Sequence, residues 1–354
     1  MQIDFHHATT YVAARLAGFN QKDAGTVAHA AQYVDDATSS GVVQFNNKAL
    51  YHRLSSAHKT LDPRNSIELN NHLVWIPFHF FPGNGGQRVD ESSDLSFVEK
   101  IVCRPGNENP IAQDLLREVI REKEHAYSLH RLGLTMHVYA DTWAHQNFAG
   151  VEDKINEVED AQDTGKSGVF TKVGRVFRDW MDDTLPPLGH ARAFVFPDMP
   201  FLQWEYENAA KQKIRRNNTD LFCTAADEMC KAMQRYMVSD LSADVPGIPD
   251  KDMNRIQDLF SKLKEEKGEK RHHYWLEEIR GGAFSFGNDP DVDYVDKGAG
   301  SWKEKALGTS NVIPKYSYRK SFLKSDWKLF HDGVKSHVVY VINELLPEYG
   351  ICAG

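Results

Sequence analysis

The sequence predicts an all-α fold, a single domain that spans residues 1–354 and carries long loop insertions. Apolar residues return every three or four positions in several long segments, which is the period of an amphipathic helix. No segment shows a strong apolar–polar alternation of the kind that indicates a half-buried strand, and no internal repeat is visible. These observations favour a multi-helix bundle.

The predicted helices follow one another along the chain and end at recognisable breakers. The first ends at Gly18 and the third ends before Asp62-Pro63, since glycine and proline favour helix ends. The last places Trp327, Phe330 and Val334 on one apolar face. In chain order the predicted helices cover residues 9–18, 22–39, 47–61, 111–123, 126–149, 172–184, 201–240, 251–267 and 326–346.

Two segments stand apart from the predicted helical bundle. Residues 73–110 contain several prolines and glycines, and loops of this length in a compact domain usually have a function. We interpret this segment as a long irregular loop and a candidate lid over a site. Residues 245–320 are interpreted as an insertion or peripheral region.

Composition and charge exclude some classes of function. Lys+Arg 42 and Asp+Glu 50 give a net charge of −8, which argues against stable binding of nucleic acid through a broad basic surface. No apolar run approaches the ~18–20 residues of a membrane span, and the first residues lack the features of a secretory signal. A cytoplasmic location is expected, with export by a non-classical route left open. The four cysteines form no CxxC pair, which argues against a cysteine zinc site.

The chain contains 16 histidines, and eleven of them lie within the first 145 residues. The most informative lie in the predicted helix 126–149. On a helix, His137, Asp141 and His145 fall at about 0°, 40° and 80°, and His130 at about 20°. Apolar residues surround this stripe, so the four polar side chains are expected to be buried and to need partners. The pattern predicts a metal site, with His130 orienting a ligand or donating a proton.

Four other positions are candidate ligands. The first is the pair His6-His7 just before the first helix. The second is the pair Asp35-Asp36 near the end of the second helix. His52 and His190 complete the set.

The order of these residues resembles the zinc-dependent phospholipase C and single-strand nuclease superfamily. That order is a histidine near the N-terminus, an aspartate about thirty residues later, a histidine, HxxxD with a further histidine, and a late histidine with a carboxylate. The segment Ala31-Gln-Tyr-Val-Asp35 is similar to that superfamily's aromatic-containing segment, which ends in a ligand aspartate. The opening Met-Gln-Ile-Asp-Phe-His is similar to a bacterial branch of the superfamily.

The resemblance implies an all-α bundle that binds a trinuclear zinc cluster and hydrolyses phosphate esters. Asp141 matches the bridging carboxylate of the central HxxxD, and either His6 or His7 matches the early histidine. The metal ligands that it implies are His6, His7, Asp35, Asp36, His52, His137, Asp141, His145 and His190, with the choice within each adjacent pair left open. The expected cofactor is Zn²⁺, two or three ions, with Mn²⁺, Fe or Ni²⁺ as alternatives.

The sequence departs from the superfamily pattern in three places. Three residues separate Asp141 from His145, where the superfamily has five. Four residues after His190 comes Phe194, and the next acid is Asp198. Met1 is not the N-terminal tryptophan that ligates metal in secreted members, and Asp4 is expected to substitute for it.

The predicted function is that of a metal-dependent phosphoric ester hydrolase, similar to phospholipase C, in which metal-activated water attacks phosphorus. We assign catalytic roles to Asp141, Asp35 and His130. A small-molecule or lipid phosphoester is the expected substrate, with transient contact to a membrane surface. Two alternatives stay open: a nuclease or nucleotide phosphodiesterase on the same metal cluster, and a non-catalytic interaction module stabilised by metal. The oligomeric state is also left open.

Overall fold

The computed structural model describes residues 1–58, 68–89, 95–165, 188–193 and 195–352. It is mainly helical. A π-helical turn, Asp4–Thr9, leads directly into the first α-helix, and a second π-helical turn, Val341–Leu345, follows the penultimate one. The α-helices are α1 (Thr10–Leu16), α2 (Gln21–Asp36), α3 (Glu68–Phe78), α4 (Phe97–Ile101), α5 (Pro110–Arg121), α6 (Ser128–Ala144), α7 (Asn218–Val238), α8 (Asp250–Lys262), α9 (Gly268–Arg280), α10 (Trp302–Leu307), α11 (Asp326–Tyr340) and α12 (Leu346–Glu348).

The all-α prediction is wrong, because the structure is 54% helical with 10% strand and contains two antiparallel sheets. Strands β1 (Gly41–Gln44) and β2 (Leu50–Arg53) form a hairpin where a helix over 47–61 was predicted. The second sheet has the order β3 (Val158–Asp163), β4 (Gln203–Asn208) and β5 (Lys213–Asn217). The fold is therefore mixed α and β.

The residue pattern of β4 explains why this segment forms a strand of the second sheet. Its residues alternate between aromatic and polar, with Trp204 and Tyr206 both buried. Alternation at a period of two places these rings on one face of the sheet. The predicted helix over 201–240 included this strand, whereas the observed helix α7 begins only at Asn218.

The helical core is centred on α6, which packs against α2. Almost every residue of α6 is buried, including its histidines and Asp141. Gly133 permits the close approach of the two helices, because a Cβ atom there would lie 2.2 Å from the Val27 carbonyl oxygen. The packing of these two helices fixes the distance between the end of α2 and the end of α6.

A second cluster of buried apolar side chains lies between the three-stranded sheet and the chain that follows α3 and α6. It includes Phe80, Phe148, Phe196, Trp204 and Tyr206. The indole nitrogen of Trp204 donates to Asn218 Oδ1 at 3.0 Å, so its one polar atom is satisfied. This cluster covers one side of the histidines at the end of α6, since Phe80 stacks on His145.

Helices occur both in the segment predicted to be an irregular loop and in the region interpreted as an insertion. Residues 73–110 hold the end of α3, with Pro77 inside it, and the short helix α4. Residues 245–320 hold α8, α9 and α10, and α9 packs against the π-helical turn Asp4–Thr9. The predicted helix over 172–184 and residues 90–94 of the candidate lid lie outside the described residues. No helix in the described part of the chain has the length and apolar character that a bilayer crossing requires.

Candidate metal centre

Elements distant in sequence bring histidines and aspartates together at the buried end of α6. Helix α6 itself supplies His137 and Asp141, and His145 is the residue directly after it. The π-helical turn supplies His6, the last turn of α2 supplies Asp35, and the residue after α3 supplies His79. His190 lies in the turn directly before the 3₁₀ segment Ala191–Ala193, and Asp198 ends the next 3₁₀ segment, Phe196–Asp198. We call these eight residues the His/Asp cluster.

Asp141 lies at the middle of the His/Asp cluster and is 1% exposed. Its Oδ1 atom lies 2.7 Å from the α-amino nitrogen of Met1 and 3.2 Å from His6 Nε2. Its Oδ2 atom lies 3.3 Å from His137 Nε2, 3.5 Å from His79 Nδ1 and 3.6 Å from His145 Nδ1. One carboxylate therefore joins groups from four parts of the chain.

Two further carboxylates flank Asp141. Asp198 Oδ1 lies 3.1 Å from the α-amino nitrogen of Met1 and 3.6 Å from His145 Nε2, and its Oδ2 lies 3.5 Å from His190 Nε2. On the other side, Asp35 Oδ1 lies 3.9 Å from both His79 Nδ1 and His137 Nε2.

Three groups within the cluster have donor atoms within 4.8 Å of one another, which is close enough to hold a metal ion. They are His6, Asp35 and His137; His79, His137 and Asp141; and His145, His190 and Asp198.

Hydrogen bonds to the backbone orient three of these histidines. His137 Nδ1 donates to the carbonyl of Ala31 at 2.9 Å, and His79 Nε2 donates to the carbonyl of Ser56 at 2.9 Å. His145 Nδ1 donates to the carbonyl of His79 at 2.6 Å. Because a carbonyl only accepts, each of these nitrogens carries the proton and the opposite nitrogen carries the lone pair.

The consequence is that lone pairs converge inside the cluster. His137 Nε2 and His79 Nδ1 lie 3.3 Å apart, and both are acceptors once their other nitrogens have donated to the backbone. The lone pair of His145 Nε2 faces Asp198 in the same way. Converging lone pairs and carboxylates repel one another unless a proton or a cation lies among them.

The charges of the buried groups are set by this environment. Burial lowers the pKa of both His6 and His137 to about 4, so both rings are neutral near pH 7. Burial opposes the charge on Asp141, but His145 and the Met1 amine hold the pKa of its carboxyl well below its usual value. Burial also opposes the charge of the Met1 amine, yet Asp141 and Asp198 raise its pKa to about 11. The cluster thus combines neutral imidazoles with ionised carboxylates, the protonation states that bind metal.

The structure brings six of the predicted ligands together: His6, Asp35, His137, Asp141, His145 and His190. It does not bring in the other three. The ring of His7 bonds to His272, Asp36 accepts from Tyr294, and His52 is exposed on β2.

His130, predicted to orient a ligand or donate a proton, also lies elsewhere. Its Nε2 is 3.0 Å from Asp326 Oδ1, and its ring lies beside Trp302. It follows that the shared helical face of α6 extends from His137 to His145 and stops short of the residue two turns earlier.

Sequence reasoning missed three contributors. His79 stands in an apolar run and carried no spacing signal, and Asp198 was noted only as the next acid after His190. The third is the α-amino group of Met1. Asp4, expected to substitute for an N-terminal ligand, instead pairs with Arg271, whose Nε lies 2.6 Å from Asp4 Oδ2.

Comparison with known proteins gives one match. The model of a family described as a family of unknown function (DUF6765) matches residues 1–345. No curated protein and no solved structure matches the chain.

Proposed function

We propose a chemistry for the family of unknown function (DUF6765) to which this chain belongs: metal-dependent hydrolysis of phosphate esters, similar to that of phospholipase C. The observation that carries the proposal is the orientation of the histidines. His79, His137 and His145 each donate one ring N–H to a backbone carbonyl and turn the other nitrogen toward carboxylates. Metal-ligating histidines are held in this way in proteins.

The residues present fit a metal. Within the described part of the chain, neither ring nitrogen of His6 makes a hydrogen bond of good geometry, and Asp198 Oδ1 has only its ion-pair contacts to the Met1 amine and His145. Buried polar atoms without hydrogen-bond partners are costly, and metal ions bound at the donor groups that contain His6 and Asp198 would satisfy them. Mixed imidazole and carboxylate donors suit Zn²⁺, with Mn²⁺, Fe and Ni²⁺ as alternatives. The three groups of donors would accommodate two or three ions.

The resemblance noted in the sequence supports the same assignment. In that superfamily an early histidine and the central HxxxD ligate metal, and here His6 and His137 both contact Asp141. When bound, zinc ions supply Lewis-acid stabilisation of a phosphoryl group and a nucleophile at neutral pH.

The protein's own residues would divide the work as follows. Asp141 would hold the donor groups in position, because it contacts histidines from three elements. Asp35 is 34% exposed and borders a cavity of about 500 Å³. It is therefore placed to meet a substrate, and we assign it the role of general base.

Metal analysis and an activity assay on one protein preparation test the proposal. We expect two or three equivalents of zinc or a similar ion by elemental analysis of protein prepared without chelator. We also expect hydrolysis of bis(4-nitrophenyl) phosphate that is lost on chelation and returns with zinc. Folded protein with less than half an equivalent of any metal would contradict the proposal. Full metal content without turnover of any phosphoester would favour the metal-stabilised module instead.

A further inference from the structure

The cavity beside Asp35 has an acidic wall. It lies between the start of the chain, the end of α2, the start of α9 and the loop that follows α9. Four carboxylates line it: Asp35, Asp36, Glu269 and Asp296. Among the described residues that line it there is no lysine or arginine, and the amine of Met1, which also lines it, is paired with Asp141 and Asp198. A substrate that reaches the His/Asp cluster through this cavity must pass this negative field.

Gln32 adds a second observation, independent of charge. This side chain is 6% exposed and borders the cavity. Its amide nitrogen donates to Asp36 Oδ2 at 3.2 Å and lies 3.4 Å from Asp35 Oδ2, which fixes the orientation of the amide group. Its carbonyl oxygen has no hydrogen-bond partner in the described part of the chain. A buried acceptor of this kind is satisfied by a donor from water or from a ligand, and it favours a ligand that carries an N–H or O–H group.

The nearby donors and cations are already engaged. The hydroxyl of Tyr294 donates to Asp36, and His272 is bonded to His7. Arg271 is buried against Asp4. Lys297 pairs with Asp296, but its side chain is 86% exposed and is not part of the wall. The cavity thus offers hydrogen-bond acceptors and negative charge together.

Resting on the proposed function, we propose that the substrate is a phosphoester that carries a primary ammonium group, which binds in this cavity next to Gln32 and Asp36. A primary ammonium donates three hydrogen bonds and carries a positive charge, so it satisfies the acceptors and the field together. A quaternary ammonium has no N–H for the oxygen of Gln32. A quaternary ammonium is bound best by several aromatic faces. Among the described residues of the wall, the aromatic rings are the phenol ring of Tyr294 and the imidazole of His272.

Binding measurements, which need no turnover, compare three phosphate ligands that carry different substituents. Zinc-loaded protein is titrated by calorimetry with O-phosphoethanolamine, phosphocholine and ethyl phosphate, which differ at the group beside the phosphate. We expect O-phosphoethanolamine to bind about tenfold more tightly than ethyl phosphate, the effect of one or two hydrogen bonds to charged groups. Phosphocholine should fall between them. Equal binding of all three would overturn the inference.

Two variants test whether residues of the acidic cavity wall cause the preference for a primary ammonium group. Gln32→Leu removes the unpaired oxygen, and Asp296→Asn removes a carboxylate that does not contact the His/Asp cluster. We expect both to reduce the ratio of ethanolamine to ethyl phosphate affinity toward one, by about threefold or more. Gln257→Leu, at an exposed position of α8, is the matched control and should leave the ratio unchanged. A ratio that survives both wall variants would also overturn the inference.

The source of the ammonium group is resolved by turnover. Glycerophosphoethanolamine in solution and phosphatidylethanolamine in mixed micelles share the same chemistry, and preferential cleavage of either one supports the inference. If bis(4-nitrophenyl) phosphate and both ethanolamine esters are left intact by metal-loaded protein, the proposed function fails. If bis(4-nitrophenyl) phosphate is cleaved while the three phosphates bind equally, only the inference about the ammonium group fails.

Discussion

His6 and His7 are neighbours on one π-helical turn, both are buried, and they have opposite surroundings. The ring of His6 stacks on His137 with centroids 3.8 Å apart and lies beside Asp141. The ring of His7 bonds to His272 through Nδ1 at 2.9 Å and is also hydrogen-bonded to the backbone of Asp293. The turn therefore separates two histidine-rich regions. We call the His/Asp cluster around His6 the His6 side, and we call the region of His7, His29, His272 and Asp289 the His7 side.

The difference shows that buried histidines alone do not mark a metal site. On the His7 side, the buried carboxylate of Asp289 is neutralised by Arg15 and accepts from Tyr11, so the protein's own donors satisfy it. On the His6 side, the Met1 amine donates to Asp141, but the carboxylates also face the lone pairs of imidazoles whose N–H groups donate to backbone carbonyls. The balance of donors and acceptors, and not the number of histidines, distinguishes the two regions.

The largest expected effect is that of Asp141→Asn. The variant removes the negative charge that joins the donor groups, so we expect loss of at least one bound metal equivalent. Activity on bis(4-nitrophenyl) phosphate should fall by more than the about 10–100-fold typical of changes outside the metal's direct ligands. The same exchange on the His7 side, Asp289→Asn, is the control and should retain the metal. An Asp141→Asn protein with full metal content and activity would contradict the comparison.

The paired variants His6→Gln and His7→Gln test the comparison directly. We expect His6→Gln to weaken metal binding by about tenfold or more, measured by competition with a chromophoric chelator, because it removes a donor. His7→Gln should keep the metal affinity. It should instead lower the free energy of unfolding by about 1–3 kcal/mol, since His272 then lacks its buried partner. Equal loss of metal affinity in both variants would remove the distinction between the two sides.

The sequence was informative where one helix carries the ligands. His137, Asp141 and His145 could be placed together because a spacing of four residues on a helix puts side chains on one face. His79 could not, since it reaches the cluster only through the packing of the end of α3 against the rest of the core. His52 was implied as a ligand by the resemblance alone, and it lies on strand β2, where a helix was predicted.

The fold prediction failed for a related reason. Most helices could be predicted from local periodicity, which long amphipathic segments express clearly. The strands β3 and β5 are rich in charged residues, and they are held by pairing with the buried strand β4. Pairing of this kind is a tertiary contact, and the sequence of β3 or β5 taken alone does not predict it.

The buried histidines of the His7 side should make the stability of the protein depend on pH. Burial lowers the pKa of His272 to about 4 and that of His29 to about 3, against about 6.5 in the unfolded chain. The unfolded state therefore takes up protons first as the pH falls below about 6.5, so stability is lost between about pH 6.5 and 3. In urea unfolding of metal-loaded protein, His29→Phe should reduce this slope by at most about 1.4 kcal/mol per pH unit. An unchanged slope would contradict the assignment.

The smallest expected effect is that of His52→Ala, which tests whether a histidine outside both regions matters at all. His52 was a predicted ligand, but it lies exposed on β2 opposite Val42. Because its side chain is solvated in the folded and the unfolded protein, the free energy of unfolding should change by less than about 0.5 kcal/mol. Metal content by elemental analysis should equal that of the unmodified protein. Loss of a metal equivalent in this variant would mean that the hairpin closes over the His/Asp cluster when metal binds. The His6 side would then include β2.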